Sequence, residues 1–346
     1  MFCKKIDRGK GRSLFLYSLK KKTYEEVLGL ESIKMSGQHL RWHAFREEWV
    51  CYSPVRQSRT FLPKKDECPL CPSINNKSIT DIPVTDYEIA VFNNRFSAFN
   101  FNQNTNDRDP NKQPSYGSCE VISYSKVHNT SLPYLDIKNI ELLIKVWGDR
   151  ITQLMKDPKI KYVIPFENRG EEVGVTLHHP HGQIYALPMI PDIILKQANN
   201  HSPKKKMNSI INSLDKDLIL KHDNISIVFV PPFARYPYEI WIAPLVMVDN
   251  PSQLKNLQIK SLAKSLKYAI QKLDKLFNAP MPYTMAVNTA PKGFEGKFHH
   301  YISIQLMKRD KDKLKFLAGI EQITGLMLAD INPEEAAIRL KRVKIE

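Results

Sequence analysis

Lys161-Tyr162-Val163-Ile164-Pro165-Phe166, the turn Asn168-Arg169-Gly170, and then His178-His179-Pro180-His181-Gly182-Gln183 running into Ile184-Tyr185-Ala186 describe a strand, a polar turn and a second strand that opens on histidines. The same order returns later as Tyr283–Val287, Asn288 and the pair His299-His300. Asn168 stands 11 positions before His179, and Asn288 stands 11 before His299. Working outward, each strand pair follows a helical pattern. Asp136 to Met155 carries Leu142, Leu143, Val146, Trp147, Ile151 and Leu154 at helical spacing, and Leu254 to Phe277 is its counterpart. Before each helix lie two more strand-like runs, Tyr87–Phe99 with Glu120–Tyr124, and Ile225–Val230 with Glu239–Ala243. Val121–His128 matches Ile240–Met247 at nearly the same offset. This order twice over argues for an α+β fold built from a duplicated unit, with pseudo-repeats at about 85–195 and 222–310. They sit in a domain of 37–346 that ends in a helix, after a basic, poorly patterned extension over 1–36. His128 falls opposite Met247 and His181 opposite Tyr301, so the first copy keeps the reactive groups and the second reads as its structural partner.

Imidazole is both a nucleophile toward phosphorus near neutral pH and a zinc ligand. Pro180 holds His179 extended, so the two rings of His179-Pro180-His181 leave one strand in constrained directions. Gly182 is read as room for a phosphate to approach the backbone. Gln183, two residues past His181, shares its strand face and can donate a hydrogen bond there. The bland alternative is a His-rich surface loop. Cys68-Pro69-Leu70-Cys71 is a two-thiolate knuckle with no second CxxC to complete four thiolates. Tetrahedral zinc would take two histidines, and His128 at a strand end with His179 beside the candidate nucleophile His181 are the natural pair, although ten histidines are available.

Composition sets limits on partners. The charge is 51 basic against 36 acidic residues, or +15. The basic runs Lys204–Lys206 and Lys308–Lys315 are short, and no aromatic-interleaved stripe accompanies them. That argues against nucleic acid and suits a phosphate-bearing substrate. No apolar run approaches membrane-spanning length, and the basic start leads into no signal-peptide core, so a cytoplasmic protein is expected. Five cysteines are too few and too scattered for a disulfide framework.

With these pieces placed, the chain from about Gln38 onward resembles the galactose-1-phosphate uridylyltransferase family, a branch of the histidine-triad superfamily. The resemblance is carried by Phe166-Glu167-Asn168-Arg169-Gly170 through Gly174 to His179-Pro180-His181-Gly182-Gln183, by Ser53-Pro54-Val55-Arg56-Gln57-Ser58-Arg59, and by Cys68-Pro69-Leu70-Cys71-Pro72. Val91-Phe92-Asn93-Asn94-Arg95-Phe96, Tyr236-Pro237-Tyr238-Glu239, Ala318-Gly319-Ile320-Glu321 and Asn332-Pro333-Glu334-Glu335 extend it. It implies a mostly antiparallel half-barrel sheet with packed helices, and ping-pong transfer of UMP between UDP-hexose and hexose-1-phosphate. His181 would be the nucleophile and Gln183 its phosphate partner. Arg56 and Arg59 would face the phosphates. Asn94, Asn168, Gly174 and Thr176 would line the uridine and phosphate cleft. Lys315, Phe316, Ile320 and Glu321 would reach the hexose from the other subunit of a homodimer. One structural zinc would sit on Cys68, Cys71, His128 and His179.

Some members carry a second site, for iron, made of a glutamate and three histidines. Here only His299 matches; Asn288 and Tyr301 replace two histidines, Gln197 lies where the glutamate would, and no second iron site is expected. Met327 stands near a sugar-contacting glutamine of the family, and Arg95 stands where aspartate is common. Which sugar and which base the site takes are therefore left open by the sequence. Competing readings are a nucleotide phosphorylase acting through the same histidine, a histidine-triad hydrolase, and a non-catalytic zinc scaffold. Gln183 argues against the hydrolase, whose pattern has a third histidine at that position, and the intact His181/Gln183 pair argues against the scaffold.

Overall fold

The computed structural model describes residues 1–9, 11–27, 37–58, 62–75, 78–101, 109–201 and 206–345. The chain opens on β1 (Phe2–Asp7) and β2 (Ser13–Ser18), followed by β3 (His39–His43), β4 (Glu48–Tyr52), β5 (Ile89–Asn93), β6 (Lys112–Pro114) and β7 (Ser118–Ser123). Helix α1 (Ile137–Leu154) leads to β8 (Tyr162–Arg169), β9 (His181–Leu187) and the helices α2 (Asp192–His201) and α3 (Lys206–Asn212). The second half supplies β10 (Ile219–His222), β11 (Ser226–Phe229), β12 (Ile240–Pro244), α4 (Asn256–Leu276), β13 (Tyr283–Asn288) and β14 (Tyr301–Leu306). It closes with β15 (Lys308–Asp310), β16 (Lys313–Leu314), α5 (Gly319–Thr324) and α6 (Pro333–Arg342).

Eleven strands form one antiparallel sheet in the order β1-β2-β5-β7-β9-β8-β13-β14-β12-β11-β10, and β4-β3-β6 make a small second sheet. The order reads the same outward from its middle. β8, β9, β7 and β5 run one way; β13, β14, β12 and β11 run the other, and β8 pairs with β13 at the centre, Asn168 opposite Thr284. The fold is α+β with the duplicated unit laid side by side. The apolar stripe of α1 is buried at all six positions read from its spacing. It shares one core with Ile259, Leu262, Leu266, Ile270 and Leu273 of α4, so both helices cover the same sheet face.

Residues 1–18, read as part of a poorly patterned extension, form β1 and β2, and β2 pairs with β5. Ser13-Leu14-Phe15-Leu16-Tyr17-Ser18 is short, flanked by lysines and arginines, and finds its partner some seventy residues later, so no local period announces it. Leu14 and Leu16 pack with Leu70, Ile82 and Val84, while Tyr17 faces the main core. Tyr17 Oη donates to Asp149 Oδ2 at 2.5 Å, and the Arg150 guanidinium lies 4.0 Å from the Phe15 ring centroid. Arg150 also grips Glu120 bidentately, at 2.6 and 2.9 Å, with both side chains buried. This pair ties α1 to β7, and the two planar groups satisfy each other's donors and acceptors where water is excluded.

Candidate active site and metal centre

Strand β9 alternates: Gly182, Ile184 and Ala186 face the core, while His181, Gln183 and Tyr185 face a cleft. Gly182 lines the cleft with its backbone, while its Cβ position points to the core side. A Cβ there would lie 2.1 Å from Tyr124 Oη and 2.8 Å from the Phe166 carbonyl oxygen, on the face away from His181. Gly182→Ala is expected to lower unfolding stability by about 1–3 kcal/mol through this overpacking. A denaturant midpoint equal to the parent's would show that β9 can shift aside. Gly174, at φ +75°, ends a short 3₁₀ turn in the left-handed region that a side chain strains.

The cleft holds a cavity of about 440 Å³ lined by His181, Gln183, Tyr185, Phe166, Asn168 and Arg56, together with Gly174 and Thr176. His181 Nδ1 lies 2.8 Å from the carbonyl oxygen of His179. A carbonyl only accepts, so Nδ1 carries the hydrogen and the lone pair sits on Nε2. Burial pulls the His181 pKa down, against the pull of that hydrogen bond, and so favours the neutral ring. Gln183 Oε1 accepts from Asn94 Nδ2 and from Tyr185 Oη, each at 3.4 Å. With the oxygen doubly occupied, the NH2 end is the one left to donate into the cleft. Tyr185 accepts in turn from Arg56 Nη1 at 3.1 Å, and burial, helped by Cys119, pushes its phenol up to about 12, so it stays a donor. The sequence places Tyr185 only in the strand run Ile184-Tyr185-Ala186 that follows the histidines. Its signal was the period of two from His181 and Gln183.

Asn94 turns back on itself, accepting from the Phe96 amide at 2.8 Å, and so aims its NH2 at Gln183. Asn168 lies on β8 on the same face as Phe166, and Phe166 pairs with Gln183 in register. The Thr176 carbonyl accepts from the Leu62 amide at 2.9 Å, anchoring the loop after the 3₁₀ turn Glu171–Val173 over the cleft. Arg59 lies outside the described residues. Lys315, Phe316, Ile320 and Glu321 line none of the cavities that contain His181. Lys315 Nζ instead binds Glu321 Oε1 at 2.8 Å and Asp330 Oδ2 at 3.3 Å, while the Phe316 ring is 69% exposed.

Cys68, Cys71, His128 and His179 converge next to the cleft, with one donor atom from each all within 4.8 Å of one another. Cys71 Sγ lies 3.4 Å from His128 Nδ1 and 3.6 Å from His179 Nδ1. Tetrahedral edges between sulfur and nitrogen ligands of zinc come to about 3.5 Å, so the spacing fits such an ion. The other ring nitrogen of His179 is held by the Ser125 carbonyl at 2.7 Å and Tyr87 Oη at 3.2 Å, the outer support that a ligating imidazole needs. Without an ion, burial and then Cys68 push the Cys71 thiol up to about 12, and burial draws the His179 imidazole down to about 4.

The second copy keeps the scaffold without the chemistry. His299 Nε2 reaches the Pro244 carbonyl at 2.7 Å, as His179 reaches Ser125. Tyr301, opposite His181, stacks on Trp241 at 4.4 Å, and His201 stacks on Phe298 at 4.2 Å. Asn288 donates to Ser303 Oγ at 3.0 Å.

Comparison with known proteins agrees with this geometry. The family described as galactose-1-phosphate uridyl transferase, N-terminal domain, matches residues 30–191, and its C-terminal domain matches residues 198–346. The galactose-1-phosphate uridylyltransferase of Thermotoga maritima is 34% identical over 320 residues, covering 89% of this chain and 99% of that protein. A solved uridylyltransferase structure superposes with a TM-score of 0.77 at 26% identity, covering 88% of this chain and 98% of that one. An ADP-glucose phosphorylase of Arabidopsis thaliana is 25% identical, over 91% of this chain and 95% of its own length. Two domain matches that together span most of the chain, around a histidine aimed into a polar cleft, place this protein in the galactose-1-phosphate uridylyltransferase family.

Proposed function

We propose that the protein moves UMP between UDP-hexose and hexose-1-phosphate, with His181 as the group that carries it. The observation that supports this most is the His181 ring itself, tethered at Nδ1 by the His179 carbonyl and beside a Gln183 whose donor end faces the same cavity. The Nε2 lone pair bonds to the α-phosphorus of UDP-hexose, and the phosphorus–oxygen bond to hexose-1-phosphate breaks with its electron pair on that oxygen. The leaving phosphate monoester, with a second pKa near about 6, departs without a proton. The ring then bears positive charge on Nδ1–H, which the His179 carbonyl accepts. A second hexose-1-phosphate attacks the same phosphorus from the vacated side and releases the imidazole neutral.

Gln183 donates to a nonbridging oxygen whose charge grows as the new bond forms. Arg56, held by Tyr185, and Arg59 supply guanidinium groups for the phosphates. Asn94, Asn168, Gly174 and Thr176 make the walls. Cys68, Cys71, His128 and His179 would hold zinc, which would fix the strand that carries His181 without touching substrate. Lys315, Phe316, Ile320 and Glu321 serve the hexose of a neighbouring subunit in a homodimer; that they line none of the cavities containing His181 in their own chain supports that arrangement. None of the described helices is long and apolar enough to cross a membrane.

The test is covalent. Purified protein mixed with UDP-glucose and no acceptor is expected to gain the mass of one uridylyl group, and adding galactose-1-phosphate should discharge it. A mass unchanged after incubation with UDP-glucose, with the protein folded and metal-loaded, would exclude this function.

A further inference from the structure

Three polar side chains stand in line on the cleft face of the main sheet. Gln183 and Tyr185 are two residues apart on β9 and so share one side of the strand, and Arg56 comes from the 3₁₀ turn Pro54–Ser58 that follows β4. Arg56 Nη1 lies 3.1 Å from Tyr185 Oη, and Tyr185 Oη lies 3.4 Å from Gln183 Oε1. All three line the cavity that holds His181. The directions of these bonds are forced. A guanidinium only donates, so the phenol oxygen accepts from Arg56, and its one hydrogen goes to the Gln183 oxygen, which only accepts.

The ring of Tyr185 is held independently of its hydroxyl. Tyr185 pairs in register with Cys119 of β7 and Ile164 of β8. Its ring meets Phe166 and Phe99 edge to face, at 5.1 and 6.3 Å between centroids. A phenylalanine would make the same ring contacts, so what the hydroxyl adds is polar. Hydrogen bonds in a chain polarise one another. The Arg56 charge draws density from the phenol oxygen and strengthens its O–H as a donor. That donor in turn draws density from the Gln183 carbonyl, and amide resonance passes the effect to the NH2. Asn94 Nδ2 takes the other approach to Oε1 at 3.4 Å, so the NH2 is the end that faces the cleft. A neutral amide thereby gains part of the strength of a charge-assisted donor. Arg56 keeps N–H groups besides the one given to Tyr185, so the same guanidinium can hold a phosphate and feed the chain.

We infer that Tyr185 is a positioning residue for the transfer: its hydroxyl relays the charge of Arg56 to Gln183 and holds the glutamine with its NH2 toward the α-phosphate. This rests on the transferase reading above and adds to it a residue that acts through Gln183.

The experiment follows uridylyl-adduct formation from UDP-glucose by intact mass, in single turnover, in the parent, Tyr185→Phe, Gln183→Ala and the double variant. Tyr185→Phe is expected to slow the adduct about tenfold at saturating UDP-glucose, with the melting temperature and the half-saturating concentration close to the parent's. In the Gln183→Ala background the same change should cost less than about twofold, because the group it acts through is gone. Equal slowing in both backgrounds, or a parent-like saturated rate in Tyr185→Phe, overturns the inference. A second measurement avoids the slow Gln183→Ala variant. With sulfur in place of one or the other nonbridging α-oxygen of UDP-glucose, the parent should discriminate between the two diastereomers, since sulfur is a weak acceptor. Tyr185→Phe should bring their rate ratio at least roughly threefold closer to one. A ratio unchanged in Tyr185→Phe overturns the inference and leaves the transferase reading intact. No adduct on the parent with any of these donors overturns both.

Discussion

His181→Ala is expected to lower kcat/KM by at least roughly four orders of magnitude and to abolish the uridylyl adduct, with little change in melting temperature. The ring is only partly enclosed and sits on the cleft face of β9, so its loss leaves no large cavity in the core. In the proposed mechanism both half-reactions pass through the same nitrogen, so no partial route would survive its removal; nucleophiles that act this way are worth about 10⁴–10⁶ in comparable enzymes. Gln183→Ala is expected to behave differently. It removes one donor aimed at a nonbridging oxygen, worth roughly 10²–10³ in rate, while an adduct still forms slowly. Single-turnover kinetics with each variant checks the contrast. Equal losses in the two variants would mean that Gln183 positions the ring rather than the phosphate. Retention of the adduct in His181→Ala would move the nucleophile elsewhere.

The parts of this arrangement that sequence could show are those written in short periods or in repetition. The 11-residue step from asparagine to histidine, twice over, gave the paired central strands, because each copy must place its turn and its second strand at the same pitch of the sheet. The helix stripes were legible since one face alone is apolar. The thiolate knuckle suggested its own two partners, as tetrahedral zinc needs four donors and only two thiolates were local. What escaped was non-local. β2 enters the sheet through pairing with β5, and Arg150 finds Glu120 across 30 residues, which no window of sequence contains. The core-side constraint on Gly182 escaped for the same reason: Tyr124 follows the end of β7, and only the folded register brings its hydroxyl against the strand.

Removing the proposed zinc is expected to cost activity and stability together, because its ligands come from three separate stretches that it would bond to one another. Cys68 and Cys71 lie in the loop before β5, His128 follows β7, and His179 immediately precedes β9. In the absence of an ion the Cys71 thiol, raised by burial and by Cys68, stays protonated at neutral pH. Binding a divalent cation must displace that proton, so metal uptake should release protons and weaken as pH falls. The link to catalysis is the His179 backbone: the same residue offers its ring to the metal and its carbonyl to His181 Nδ1. Once the ring is released, the carbonyl that sets the nucleophile's tautomer is held less firmly. Cys71→Ser, or prolonged chelation of the parent, is therefore expected to lose the one equivalent of zinc proposed for this site, to melt several degrees lower, and to form the uridylyl adduct about 10–100-fold more slowly. Elemental analysis, a melting curve and the adduct time course on the same samples check this. A metal-free sample that melts with the parent and uridylylates at the parent's rate would show that the four side chains hold their positions by packing alone.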